Sequence, residues 1–433
     1  MQLTSVRPTL QIKLSPGIRI CVLCLMFISS ALTGLVSQTF LSFVIVVCML
    51  ALFLMDELYL AFPFLLFYNS FYGLFLGVSL FRIFSILMIF ACVLKLQVNK
   101  PLDIKYFWPI FVYFVYLLAV MSSFSVTRAI YVFIDVICCV LLVTGDIKKD
   151  EEKLKAFFTI YVFVALAAYL TGTISGNELE QVERPGFQIV EYSRFMATFE
   201  DPNYMGFFYT IAVFAVFTLK LFKPLWRVLI IIILNIMMLT SLSITAIIVN
   251  VVLWLIYLVV SKKMNIRALI GIILVVFLAI AAYNYGLGAG KDSFLGNLVY
   301  RIQDKLQELE KNNIGAVTTG RSDLTAHHFE VYKSQPFFKI LFGGMMANVY
   351  YFDPVLTGAA HNEYVDMLLN IGLIGAIVML GFLIYNLVGY YKKYKQKGEE
   401  RYIFLFMIKT VWILYAFTLT IFLDYRFMFF FLI

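Results

Sequence analysis

The stretch AAHNEYVDMLLNIGLIGAIVML, residues 359–380, decides how this chain is read. Its right half is apolar enough to belong to a membrane span. Its left half opens with His361 and Asn362 and carries Glu363 and Asp366. Polar groups are costly in hydrocarbon, so a histidine and two acids at such a helix mouth must face a protein interior or a wet cavity. Asn362, Asp366 and Asn370 recur every four residues, which puts them in one stripe on one face. Gly372 and Gly375 then leave room for a neighbouring segment to approach closely.

The other residues share this character. Of 433 residues, 62% are hydrophobic and 14% charged, with a mean hydropathy of +0.91. Soluble domains carry about 25% charged residues. The apolar residues form long runs and do not alternate, so helices are expected and a barrel is not. At about 20 apolar residues per crossing, spans fall near 18–36, 37–55, 58–75, 78–97, 106–123, 128–144, 155–173, 204–221, 225–240, 242–260, 267–286, 363–390 and 402–422. The fold class is therefore an all-α polytopic membrane protein of about 12–14 transmembrane helices, read as a single membrane domain over 1–433. The six cysteines all lie in apolar stretches and show no CxxC spacing, so neither a disulfide framework nor a metal site is expected, and no cofactor. The basic N-terminal tail lacks a small-residue cleavage site after its apolar run, so the first span is expected to be retained.

Sidedness follows from lysine and arginine in short loops. The N-terminal tail and segments 95–105, 146–155, 220–227, 261–267 and 391–401 hold 21 of the 34 basic residues. They share one side of the expected bundle, which makes that side the cytoplasm and the protein a multi-pass protein of a cytoplasmic (inner) membrane. No basic surface interleaved with aromatics argues for nucleic acid. The other side receives a first external loop, 174–203, and a large one, 287–360. Within the large loop, Leu295, Leu298, Val299, Ile302, Leu306 and Leu309 recur at helical spacing, marking an amphipathic helix.

The remaining 13 basic residues run against the sorting rule, and seven are arginines: Arg82, Arg128, Arg184, Arg194, Arg301, Arg321 and Arg426. Arginine suits bidentate binding of phosphate. Several arginines near an outer membrane surface fit an anionic, lipid-linked ligand; each could equally pair with lipid headgroups or nearby acids. Arg128 and Arg426, at expected span ends, need only snorkelling. In FEDPN, 199–203, Asp201 reads as a helix cap and Pro202 as the first helical residue. His327 and His328 are adjacent, so on a helix they face different directions. His361 differs. The partial positive charge of a helix start disfavours imidazolium, and a neutral imidazole can accept a hydroxyl proton. It is a candidate general base, or else a capping residue.

His361-Asn362 followed by Gly372 and Gly375 resembles the His-Asn…Gly-x-x-Gly signature of the O-antigen ligase and polymerase superfamily. Upstream, TGRSDLTAHHFEVYKSQPFFKILFGG (319–344) is similar to that family's Gly-Arg segment with its helix, proline and Gly-rich turn. RFMATFEDPNYMGFF (194–208) is similar to its Arg…Thr-Phe…Pro-Asn segment. The bulky residue that often follows the Gly-Arg is absent, Leu324 or Thr325 standing there. The resemblance implies the membrane fold of the lipid-phosphosugar glycosyltransferases. It also implies a metal-independent, inverting glycosyltransferase acting at the periplasmic or exterior face on an undecaprenyl-diphosphate-linked oligosaccharide. On it, His361 matches the catalytic base. Arg321, Arg194 and, more weakly, Arg184 match diphosphate binders, with Asn362, Glu363, Asp366 and Glu200 in support. Expected partners are the lipid-linked oligosaccharide, membrane lipid and a chain-length regulator.

The expected activity is polymerisation of repeat units into a surface polysaccharide, O-antigen or capsule. A ligase that moves finished glycan to a lipid core or another acceptor uses the same motifs. A flippase for the same lipid would need charged residues deep in several spans; Asp135 and Lys409 are the candidates.

Overall fold

A computed structural model describes residues 16–33, 35–68, 75, 78–96, 104–120, 126–147, 150–179, 194–261, 284–286, 288, 294–311, 321–344, 361–419 and 424–433. In chain order the helices are α1 (Pro16–Ala31), α2 (Gln38–Leu54), α3 (Phe62–Tyr68, after a 3-10 turn Leu58–Ala61), α4 (Leu80–Leu96), α5 (Phe107–Ala119), α6 (Val126–Leu142) and α7 (Glu151–Ser175). A two-residue antiparallel pair follows, β1 (Glu178–Leu179) with β2 (Arg194–Phe195), Leu179 facing Arg194. Then come α8 (Pro202–Thr218), α9 (Pro224–Thr240), α10 (Ile244–Ser261), α11 (Phe294–Glu310), α12 (Arg321–Lys333), α13 (Phe337–Phe342), α14 (Glu363–Lys397), α15 (Glu400–Tyr415) and α16 (Tyr425–Leu432).

Apart from that pair and short 3-10 and π turns, the regular structure of the described residues is α-helical, and helices stand at twelve of the thirteen expected spans. The thirteenth, 267–286, lies almost wholly outside the described residues. Length separates the helices further. Among the described residues three are long and apolar enough to cross a membrane: Glu151–Ser175, Ile244–Ser261 and Glu363–Lys397. Seven shorter apolar helices accompany them, among them Gln38–Leu54 and Pro224–Thr240. At 17 residues these reach about 26 Å, short of a hydrocarbon core of about 30 Å. The large apolar side chains exposed on their outer faces, such as Leu25, Phe90, Ile232 and Ile377, suit lipid better than water.

Local chemistry sets the ends. Asp150 caps α7 through the amides of Glu152 and Lys153, and Gly176 ends it in the left-handed conformation. Asp201 caps α8 through the Asn203 amide, with Pro202 at the first helical position. The expected surface helix appears as α11. Its stripe is covered at Val299 and open at Leu306 and Leu309.

The described residues fall into two compact units, although the sequence reads as a single membrane domain. One contains α1–α4 and α7. Its core is aromatic: Phe62, Phe64, Phe67, Phe84, Phe157 and Tyr161 are fully buried. There the Thr198 hydroxyl donates to the Phe67 carbonyl at 2.5 Å. The other unit contains α5, α6 as far as Val140, the β pair and α8–α16.

Within the second unit the short helix α16 is buried along its whole length from Arg426. Phe427 packs on Phe207 at 4.7 Å, and Phe431 on Trp412 at 5.0 Å. Its last carbonyls must find donors. Tyr390 donates to Ile433 at 2.6 Å, Tyr106 to Leu432 at 3.4 Å, and Lys409 to both Phe430 and Phe431. Lys409, fully buried on α15, thus sets its amine at the carbonyl end of α16.

Lys409→Met removes a charged donor shared by two buried carbonyls, a loss of about 1.5–3 kcal/mol per charged hydrogen bond. The variant is expected to show a thermal unfolding midpoint several degrees below that of the parent chain in the same detergent. An unchanged midpoint would show that the carbonyls do not depend on Lys409.

Candidate functional site

The site forms where α14 begins. Asn362 is the cap of α14: its Oδ1 accepts from the amides of Tyr364 at 3.1 Å and Val365 at 3.4 Å. This is a structural duty. His361, one residue earlier, is half-buried and holds φ +51°, a left-handed conformation rare for a residue with a Cβ. Such strain persists only where the surroundings fix it. The Glu363 amide supplies one fixing bond, donating to the Ala416 carbonyl at 2.7 Å. The Tyr364 hydroxyl supplies another, to the Ile413 carbonyl at 3.0 Å.

The polar stripe faces inward. Glu363 and Asp366 are fully buried, Asn370 nearly so, and the Asn370 amide nitrogen donates to the Asp366 carbonyl at 2.7 Å. Carboxylates in a first helical turn are favoured by the partial positive charge there. The phenol of Tyr113 on α5 lies within electrostatic reach of Glu363.

Arg321 is the first residue of α12. Its Nη1 donates to the Thr418 carbonyl at 3.1 Å. Ala416 and Thr418 belong to one turn after α15, and two residues span at most about 7 Å. Arg321 and the strained start of α14 are therefore held by the same short turn. The rest of α12 runs beside α14: Tyr332 packs with Val365 and Leu369, and its hydroxyl donates to the Ile340 carbonyl at 3.1 Å. Burial there pushes the Tyr332 phenol up from its ordinary pKa.

The loop reaches further along α14. At Gly372 the helix is broken, with φ +68°. The break frees the Asn370 carbonyl, and the Gly344 amide donates to it at 2.8 Å. Gly343, at φ +79°, lies so close that a Cβ on it would overlap the Asn370 carbonyl and the Gly372 amide. A Cβ on Gly372 would overlap Leu341. Gly372 therefore takes the close-packing role expected of it. Gly375 does not: a Cβ there meets only Ile371 of its own helix.

Arg194 is placed by its backbone in β2, and Arg184 lies outside the described residues. Arg128 and Arg301 lie on α6 and α11. Glu200 is exposed before α8, its Oε2 4.0 Å from Arg426 Nη2. Arg426 itself corrects the expectation of snorkelling. It is buried, clasps Asp424 through Nε and Nη2 at 2.5–3.0 Å, and lies 5.5 Å from the Tyr204 ring centre. Asp424 also caps α16 through the Arg426 amide at 2.9 Å. This buried group was not recognised in the sequence, where DYRFMFFFLI reads as an aromatic tail. Its readable signal was an aspartate two residues before an arginine, ahead of the phenylalanine run. His328 is buried with Nδ1 2.8 Å from the Leu324 carbonyl, and its ring stands at 89° to that of His327. The two face apart, as expected of neighbours on a helix. Among the described residues no group of three or more His, Cys, Asp or Glu side chains is arranged to hold a metal.

No protein-family model matches the chain, and no curated protein sequence matches it.

Gly343→Ala and Gly372→Ala must each leave the left-handed region or strain it, at about 1–2 kcal/mol, besides about 1–3 kcal/mol for overlap. Both are expected to lower the yield of monodisperse protein on size exclusion. Gly389→Ala, where a Cβ meets nothing within 4 Å, should leave it unchanged. Normal yields from all three would mean that α13 does not depend on this contact.

Proposed function

We propose that the chain polymerises oligosaccharide repeat units carried on a polyprenyl diphosphate, at the outer face of a cytoplasmic membrane. The observation that carries this reading is the shared turn at 416–418. It holds Arg321 beside a histidine that opens a helix whose first turn carries two buried carboxylates. Apart from the shared turn, the reading rests on the resemblance of His361-Asn362…Gly372…Gly375 and the Gly-Arg segment to the O-antigen ligase and polymerase superfamily.

In the proposed step, a sugar hydroxyl of the acceptor attacks the anomeric carbon of the donor glycan. The new C–O bond forms as the bond to the diphosphate oxygen breaks, and that oxygen leaves with the electron pair. His361 takes the hydroxyl proton. Glu363 and Asp366, in the first turn that follows, would balance the imidazolium as it forms. The Arg321 guanidinium meets the charge that grows on the departing diphosphate, where electrostatic stabilisation counts most. Its bond to the Thr418 carbonyl helps orient it. Arg194 and Arg184 would add to the same role from the first loop, and Glu200 would bind sugar or orient a neighbour.

The test is complementation of a deletion strain, read as the glycan ladder on a gel, with membrane levels of each variant matched. His361→Ala is expected to collapse the ladder to single repeats, a fall of about 10²–10⁴ in turnover. Arg321→Ala should do the same, with Arg321→Lys in between because it keeps the charge and loses the fork. A full ladder with His361→Ala would sink the base assignment. Long lipid-linked glycan left unattached in the deletion strain would mark a ligase instead. Failure of the purified chain to extend lipid-linked repeats without an ion gradient would favour a transporter.

A further inference from the structure

A second polar cavity lies about 30 residues along α14 from His361, in the same unit. The ends of α8, α9, α10, α14 and α15 enclose about 290 Å³ there. Its polar lining is Thr218, Lys220, Arg227, Tyr257, Tyr394 and Glu400. The two segments that bring most of these residues, 220–227 and 391–401, hold eight lysines and arginines against Glu399 and Glu400. Glu400 is already engaged by Lys220. Arg227 is different. Its Nη2 donates to the Phe222 carbonyl at 2.9 Å, while its Nε is buried with no hydrogen-bond partner. No carboxylate among the described residues pairs with it.

The Arg227 side chain lines the cavity with no carboxylate to cancel its charge, and an anion entering the cavity would supply that countercharge. The backbone agrees. Lys220 is held at φ +54°, a strained conformation that places its side chain at the cavity. The first turns of α9 and α15 both contribute to the wall. Lys223, the cap of α9, makes no side-chain capping bond and no acid stands in that first turn, whereas α15 begins with Glu399 and Glu400. Beside the cavity, Leu225 and Trp226 of α9 are 79% and 58% exposed. That is where acyl chains would lie if the ligand were a lipid, with a tryptophan at headgroup level.

We propose that this cavity binds a phosphate-bearing anion, with the Arg227 guanidinium and Lys220 as the charged groups and the Tyr257 and Tyr394 hydroxyls beside them. The phosphate comes either from the headgroup of an anionic phospholipid or from the free anion; both present the same oxygens. The site stands independently of the glycan reaction.

The purified full-length chain in neutral detergent is titrated separately with phosphatidylglycerol, cardiolipin, phosphatidylcholine and sodium phosphate. Thermal unfolding midpoints and native mass spectrometry are read. Phosphatidylglycerol and cardiolipin should raise the midpoint saturably, and phosphatidylcholine should not. Arg227→Gln should weaken binding at least tenfold, and Arg227→Lys, which keeps charge but loses the guanidinium, should also weaken it. The double variant Lys153→Gln/Lys155→Gln removes two charges at the start of α7 and should bind like the parent. His361→Ala should also bind like the parent, which separates this site from the proposed reaction. Sodium phosphate reproducing the shift with the same dependence on Arg227 would identify the free anion as the source. Should Arg227→Gln not fold, Arg227→Lys and Lys220→Gln carry the comparison. Absence of saturable binding by every phosphate-bearing probe, or equal weakening by the α7 double variant, overturns the proposal.

Discussion

The arrangement of the site rests on a contact between two backbones. α14 breaks at Gly372, and the break leaves the Asn370 carbonyl without its helical donor. The Gly344 amide replaces that donor at 2.8 Å. The approach is possible because neither Gly343 nor Gly372 carries a side chain. From this clamp α13 and the turn at Pro336 lead back to α12, whose Tyr332 packs on Val365 and Leu369. The far end of α12 then delivers Arg321 to Thr418. A polar loop is thereby attached at three heights along one helix, and the position of Arg321 is set by packing that begins some ten residues from His361.

The electrostatics of the helix start follow from burial. Glu363 and Asp366 have no solvent exposure, and isolated carboxylates there would be costly. The first turn of α14 offsets part of that cost through its partial positive charge.

Much of this was legible in the sequence. Apolar run length located the helices, because each run must be buried or lipid-covered whatever its neighbours do. Asp201 could be read as a cap because capping is a local bond to the next two or three amides, whereas at α14 the cap proved to be Asn362 and not His361. The stripe of Asp366 and Asn370 was legible because helical spacing fixes a common face. Long-range partners were not legible. The pairing of Gly343 with Gly372 and of Arg321 with Thr418 joins residues far apart in the chain, and no periodicity encodes it. Helix length was overread at Phe107–Ala119, which ends at Val120, short of the expected 123.

The buried cations divide by the kind of partner they have, and that division bears on what the chain can do. Lys409 is committed to the last carbonyls of α16. Arg426 is committed to Asp424, which also caps the other end of that helix. Both serve to hold an aromatic eight-residue helix inside the second unit, a fixed duty that a migrating ion or sugar would disrupt. Arg321 is held differently, by a neutral carbonyl at a turn shared with the start of α14. The turn that bonds Arg321 also bonds the first amide of α14, so those two segments are fixed against each other by one short stretch of chain.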